Sequence, residues 1–253
     1  TCQPELKDFH PYDTNLAPRI RLLLQEYQNR IPEQKPCGRD EFIALLAGIA
    51  ALRKTPGIPG PDQVPFTVLP SCASPEDEAA CRAHLKRVFG IADKETLVGF
   101  CQHEIQVNRQ YMDFVAFWEG QPPFALEELN EGALEFFKVA RDFSAQFYPI
   151  VGHQGYLAWD ISETMGHLRN GYACGLLNRS EFDALTEYWL EQTHIFKNWV
   201  EFAASLICGE LYWDFRHGSE LGELNKGLDL YGKLVSILLD NDTAWGSGMW
   251  YVQ

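Results

Sequence analysis

The sequence predicts an all-α fold, an irregular multi-helix bundle of about eight to ten helices with little or no β structure. Three observations predict it. Apolar residues recur at spacings of three and four through nearly every segment, and no stretch alternates at period two over strand length. Proline, glycine and capping residues cut the chain into helix-sized pieces. With 46% hydrophobic and 13% aromatic residues against 22% charged, the 253-residue chain can bury enough apolar surface to offset its ordering entropy.

The first two helices run over about Leu16 to Asn29 and Arg39 to Lys54, parted by the breakers between Ile31-Pro32 and Gly38. From Thr55 to Pro70 the chain is dense in proline and glycine, with Val64 to Leu69 as an expected short extended piece. That stretch reads as a linker between an N-terminal helical extension (1–70) and a helical domain (71–253), the two packed as one unit. Ser74-Pro75-Glu76-Asp77 supplies an N-cap, a proline at the first helical position and a carboxylate at N3, opening a helix that ends near Phe89-Gly90.

Asp93 is expected to cap a helix reaching about Trp118. After Pro122-Pro123 a long amphipathic helix follows from about Leu126 to Phe147, and Pro149 is expected to stop it. The last third holds helices over Gly155 to Cys174, Ser180 to His194 with Ser180-x-x-Asp183 as a capping box, Asn198 to Phe215 with Asn198-x-x-Glu201, and Glu220 to Leu239.

Thirty-five acidic against 21 basic side chains give a net charge of −14, and residues 151–253 hold 14 acidic against 6 basic. Such a field repels nucleic acid and steers a basic protein partner, although excess carboxylates also simply keep a protein soluble. The longest apolar run, Phe42 to Leu52, falls short of the ~20 residues of a bilayer-spanning helix. The start at Thr1-Cys2 in place of Met is read as lacking the natural N-terminus, which leaves export or a lipid-bearing Cys2 as a minor reading. A cytoplasmic location is favoured, because the seven cysteines are odd in number and Cys101, Cys174 and Cys208 sit among apolar neighbours as free thiols. No C-x-x-C, HExxH, GxSxG, P-loop or GxGxxG is present, so no metal and no cofactor is expected, and Cys81-x-x-His84 reads as a buried thiol beside a surface imidazole.

On the helix from Gly155, Leu157, Ile161, Met165, Leu168 and Tyr172 form an apolar stripe, and Ser162, Gly166 and Ala173 form a small-residue stripe that admits a close neighbour. Asp160, Glu163, His167 and Asn170 share the third face. An Asp, a Glu and a His on successive turns could ligate a divalent metal or exchange protons, whereas Glu163 and His167 at i, i+4 also make an ordinary surface contact. Six of the seven tryptophans lie in the last 95 residues, where Trp159 and Trp199 could line a pocket or simply fill core.

Several segments together carry a resemblance: Phe89-Gly90-Ile91-x-Asp93-Lys94-Glu95, Ala158-Trp159-Asp160-Ile161-Ser162, Leu168-Arg169-x-Gly171-Tyr172-x-x-Gly175, Phe196-x-x-Trp199-x-Glu201 and Gly209-x-x-x-Trp213. In order and spacing, across about Pro75 to Phe215, they resemble the bacterial domain of unknown function number 1266. The resemblance implies a helical bacterial protein and brings no agreed substrate or catalytic residue. Glu163 and Asn198 depart from the family pattern, which more often has a basic residue and a serine there.

Arg169 lies about 180° around the helix from Asp160, so it is expected to anchor the helix to a neighbour's carboxylate or carbonyl. Gly171 within the last turns requires tight packing or a bend, and Gly175 makes a natural helix stop. Together with Gly209 and Trp213 these residues read as structural signatures.

Three functional readings follow. The first is a protein-interaction module, of the kind an immunity or antitoxin protein presents to a basic partner, motivated by charge. The second is an enzyme or small-ligand receptor built on Trp159, Asp160, Glu163, His167, Trp199 and Glu201, which requires those carboxylates to converge in a concave site with shifted titration. The third is a purely structural helical domain. None of these features specifies an oligomeric state.

Overall fold

Local capping chemistry sets many of the helix starts. Ser74 Oγ accepts the Asp77 amide at 3.1 Å, Asp93 accepts that of Thr96 at 2.8 Å, and Asn198 accepts those of Val200 and Glu201 at 2.9 and 3.0 Å. The computed structural model describes residues 14–30 and 32–251. Cys2, with its lipid-anchor reading, and Ile31 lie outside the described residues.

Within them are twelve α-helices: α1 (Leu16–Gln28), α2 (Arg39–Leu46), α3 (Gly48–Leu52), α4 (Pro75–Phe89), α5 (Lys94–His103), α6 (Val107–Trp118), α7 (Glu131–Ala145), α8 (Tyr148–Val151), α9 (Leu157–Ala173), α10 (Arg179–Gln192), α11 (Trp199–Arg216) and α12 (Leu221–Leu239). Ten of these are eight residues or longer, so the all-α expectation holds. Strand structure among the described residues is limited to β1 (Lys35–Pro36) and β2 (Met249–Trp250), paired in parallel with Lys35 opposite Met249. No described helix is long and apolar enough to cross a membrane.

The differences from the sequence reading have local causes. The helix expected over Arg39 to Lys54 is interrupted at Ala47, and the one expected from Asp93 to Trp118 breaks between Glu104 and Gln106. Val64 to Leu69 forms turns rather than an extended piece. The helix expected from Leu126 starts at Glu131, because Asn130 caps the Ala133 amide at 2.9 Å and only a single 3₁₀ turn, Leu126–Glu128, precedes it. Pro149 does not end the helical path; it sits in the first turn of α8, where a missing N–H leaves no bond unmade. The α10 cap is Asn178, reciprocated by Glu181 at 2.9 and 3.0 Å, rather than Ser180 with Asp183. Asp183 instead pairs with Arg39 and Arg179 at 2.7 and 2.8 Å.

Helix α9 is the central element, packed against α2, α3, α4, α5, α6, α10 and α11. Its small residues explain how so many neighbours fit. A Cβ on Gly166 would lie 2.7 Å from Ala50 Cβ of α3, and one on Gly171 would lie 2.5 Å from Leu97 Cδ2 of α5. The expected close approach along the Ser162–Gly166 stripe is therefore made by α3. Helix α1 lies on α11 and α12, where the Tyr27 hydroxyl donates to Gly232 O at 2.7 Å and Arg30 reaches Ser236 Oγ at 2.7 Å. One cluster of buried side chains runs from Leu16 through to Trp250.

Candidate functional site

Helix α9 stands between two cavities, and its residues divide between them at the helical period. Leu157, Asp160, Thr164 and Leu168 face a cavity of about 570 Å³ bounded by α5, α6 and α10. Trp159, Glu163 and His167 face another, of about 500 Å³, closed by Arg53, Phe89, Phe100, Glu104, Glu210 and Trp213. A step of four residues turns a helix by only ~40°, so each set of three or four lies along one line. The predicted face of Asp160, Glu163, His167 and Asn170 is thus split by the neighbours that pack on it.

Asp160 is buried, and its two carboxylate oxygens accept the amides of Val107 at 3.0 Å and Asn108 at 3.1 Å. These are the first amides of α6, whose start at Gln106 carries no side-chain cap of its own. Burial pushes the Asp160 carboxyl up to about 7, against the opposing pull of the two amide bonds and of Arg216. Its role is that of a cap supplied from another helix. Asn170 is likewise engaged, donating to Thr55 Oγ1 at 3.1 Å and accepting from Arg169 Nη1 at 3.0 Å.

Arg169 differs from its expected role. Its hydrogen bond goes to the side chain of the adjacent Asn170 rather than to a neighbouring helix's carboxylate or carbonyl, and it is buried beneath Ala51, Pro61 and Phe66. Desolvation pulls its guanidinium down to about 10. Gly175, at φ 70°, ends the helix as expected, with the Leu176 amide returning to Gly171 O at 2.8 Å. His84 is half-buried with an unpartnered Nδ1, so it is not the surface imidazole expected beside Cys81.

Trp199 and Glu201 lie away from the cavity. Trp199 stacks on Trp245 with centroids 4.8 Å apart and donates its indole N–H to Met249 O at 2.9 Å, deep in an aromatic cluster with Phe42 and Trp250. Glu201 Oε2 accepts from Lys197 N at 2.9 Å and Gln154 Nε2 at 2.8 Å, which closes the start of α11.

Trp159, Glu163 and His167 remain together, joined by Trp213. Gly209 makes the meeting of α9 and α11 close: a Cβ there would lie 2.4 Å from Trp159 Cβ. One turn on, Trp213 stacks on Trp159 with centroids 4.9 Å apart and planes at 28°. The Gly209-x-x-x-Trp213 pattern is therefore one contact surface for Trp159. Between its two ends, Glu210 accepts the Trp159 indole N–H at 2.6 Å.

Electrostatics separate the four polar groups of this cavity. Glu163 and Arg53 form an ion pair at 2.7 Å. Burial, with Glu163 beside it, pushes Glu210 up to about 8, while Arg53 and the Trp159 N–H pull the other way. It therefore holds a proton at neutral pH. His167, wedged between Phe89 at 4.5 Å and Phe100 at 4.9 Å, is driven down to about 4 by burial. Its Nδ1 has no hydrogen-bond partner. The site thus holds a neutral carboxylic acid and a neutral imidazole on either side of an ion pair that acts on both.

Residues 84–245 match the family described as Protein of unknown function (DUF1266). The chain belongs to that family. Neither a curated protein nor a solved structure matches it. The DUF1266 region begins later and ends later than the motifs across Pro75 to Phe215 suggest, and it takes in every cavity residue named above except Arg53. In this DUF1266 protein the sequence reading missed two groups. Arg53 follows α3 and reaches Glu163 only because Gly166 lets α3 approach. Glu210 carried one signal, a carboxylate directly after the glycine of Gly209-x-x-x-Trp213. Among the described residues, no group of three or more His, Cys, Asp or Glu is arranged to hold a metal ion.

Proposed function

We propose that the cavity between α9 and α11 binds a small organic cation, an amine or ammonium compound, with Glu210 exchanging a proton as the ligand arrives. The observation that carries this reading is Glu210 itself, lining the cavity with Glu163, fixed by the Trp159 indole N–H at 2.6 Å, and pushed up by burial so that it favours a proton. A cation placed there would favour the carboxylate form and release the proton. Arg53 and Glu163 cancel in charge, while Glu104 adds a negative charge at the rim. The stacked indoles of Trp159 and Trp213 line one side of the cavity and give it an aromatic wall. His167, whose buried Nδ1 has no partner, lines the same cavity. This develops the small-ligand alternative; the interaction-module reading draws on the acidic excess of residues 151–253 and the lack of catalytic motifs.

Calorimetric titration with a panel of primary, secondary and quaternary amines tests the proposal, run at pH 7 in buffers of different ionisation enthalpy. Binding is expected to release a proton in the wild type and not in Glu210→Gln, and to weaken at least tenfold in Glu163→Gln. Glu201→Gln, a change at a cap outside the cavity, should bind like the wild type. An absence of binding across the panel would overturn the proposal, as would binding indifferent to both cavity substitutions.

A further inference from the structure

The cavity that faces Trp159, Glu163 and His167 changes character along α9. Trp159 and His167 are eight residues apart, about 12 Å along the helix axis, with Glu163 midway. At one end Glu210 accepts the Trp159 indole N–H at 2.6 Å, and in the middle Arg53 pairs with Glu163 at 2.7 Å. The other end is aromatic and aliphatic. His167 lies edge-on to Phe89 at 4.5 Å and to Phe100 at 4.9 Å, and the two phenyl rings meet at 5.6 Å. Val88 and Ile105 complete that end. Phe89 and Phe100 are only partly buried and Val88 is 51% exposed, so this apolar surface is open to the cavity rather than sealed in the core. The cation reading above leaves it unused.

We propose that the ligand of this cavity is an amine with a single ammonium group and an apolar tail, a phenyl ring or a short alkyl chain, that lies against Val88, Phe89 and Phe100. The inference rests on the cation reading and adds the chemistry of the other half of the molecule. With the ammonium beside Glu163 and Glu210, the tail has about one helical turn, roughly 6 Å, to span before it reaches the rings around His167. The cavity, of about 500 Å³, has room for it. Pockets of ~300–1,000 Å³ hold whole small molecules, and a bare methylammonium would leave most of this one to water.

An apolar tail suits that end better than a second charge. Each methylene that leaves water against Val88, Phe89 and Phe100 is worth about threefold to fourfold in affinity. A second ammonium would gain little there. Of the three carboxylates that line the cavity, Glu163 and Glu210 belong to the other end, and Glu104, one turn beyond Phe100, is exposed. A pair formed in water with such a group contributes little. The burial that drives His167 to its neutral form disfavours any cation set between Phe89 and Phe100 as well.

Calorimetric titration of the full chain at pH 7 with ethylamine, hexylamine, phenethylamine and hexamethylenediamine tests the inference. Hexylamine and phenethylamine are expected to bind at least about thirtyfold tighter than ethylamine, and the diamine about tenfold or more weaker than hexylamine. Val88→Asn, a change at an exposed helix position that leaves the core intact, should weaken hexylamine about fivefold and leave ethylamine unchanged. Ethylamine that binds with proton release while the longer tails gain nothing would overturn this inference and leave the cation reading standing. A diamine as tight as hexylamine would overturn it too, as would a tail effect untouched by Val88→Asn. Binding of none of the four would overturn both readings.

Discussion

The carboxylate of Asp160 caps the amide of Val107 across 53 positions of sequence, at 3.0 Å, where α6 begins without a cap of its own. A helix start that is fixed from another helix couples secondary to tertiary structure. Helix α6 keeps its first turn only while α9 stays in place, and the break after α5 is held open by the same carboxylate.

Replacing that carboxylate should therefore act on stability rather than on the cavity facing Trp159. Asp160→Ala leaves two amides at the α6 start without an acceptor, and at ~1–3 kcal/mol for each orphaned group the loss is about 3 kcal/mol. Asp160→Asn keeps one acceptor and should lose about half as much. Urea unfolding measures both, with amide exchange at Val107 and Asn108 as the local readout. A destabilisation below ~0.5 kcal/mol for the alanine variant, the level of an ordinary surface change, would remove the cap from the account.

Two glycines to alanine should move stability in opposite directions. At Gly209 the new Cβ would lie 2.4 Å from Trp159 Cβ, so α11 must back away from α9 and the loss is about 1–3 kcal/mol. The Trp159–Trp213 stack should loosen with it, visible in near-ultraviolet circular dichroism. At Gly99, inside α5, a Cβ meets nothing within 4 Å, and alanine should stabilise by about 0.5–1 kcal/mol. Equal effects at the two positions would show that the close approach of α9 and α11 is not what requires Gly209.

The caps at Ser74, Asp93 and Asn198 are readable from sequence because donor and acceptor lie within three residues of each other. The break between α5 and α6 is not, because the group that stabilises it is on α9. The helical projection places Asp160, Glu163 and His167 on neighbouring turns correctly. What it cannot contain is which elements pack there: α6 takes Asp160, while α3 and α11 enclose Glu163 and His167. Glu210 is hidden for the same reason. Its protonation at neutral pH arises only where Gly209 brings α11 against Trp159 and places Glu163 nearby.

His167 should make the fold more sensitive to acid. Its imidazole ionises near 6.5 in the unfolded chain and near 4 when folded, so between those values the unfolded state binds more protons. Stability from this group is complete above pH 6.5 and declines as pH falls toward 4. His167→Phe, which keeps a ring between Phe89 and Phe100, should lose that decline and gain on the wild type at pH 5 relative to pH 7. Urea midpoints at the two pH values decide it, and an unchanged difference between the two proteins would mean that the imidazole is not desolvated as described.

Glu210 should act at the opposite end of the scale. Its carboxyl ionises near 4.5 unfolded and near 8 folded, so between those values the folded state binds more protons and stability falls as pH rises. Each pH unit in that window weakens the wild-type fold by up to about 1.4 kcal/mol through this one group. Asp160, pushed up to about 7, works in the same direction between 3.8 and 7, so the total slope alone does not identify Glu210. The comparison with Glu210→Gln does. Glutamine keeps an acceptor for the Trp159 indole and cannot ionise, so the variant should gain on the wild type from pH 5 to pH 8, most steeply near pH 6 to 7 and less as pH nears 8, with the Asp160 contribution common to both proteins. A difference between the two proteins that stays flat across that range would mean Glu210 is ionised at neutral pH, and the proton released on cation binding would have to come from another group.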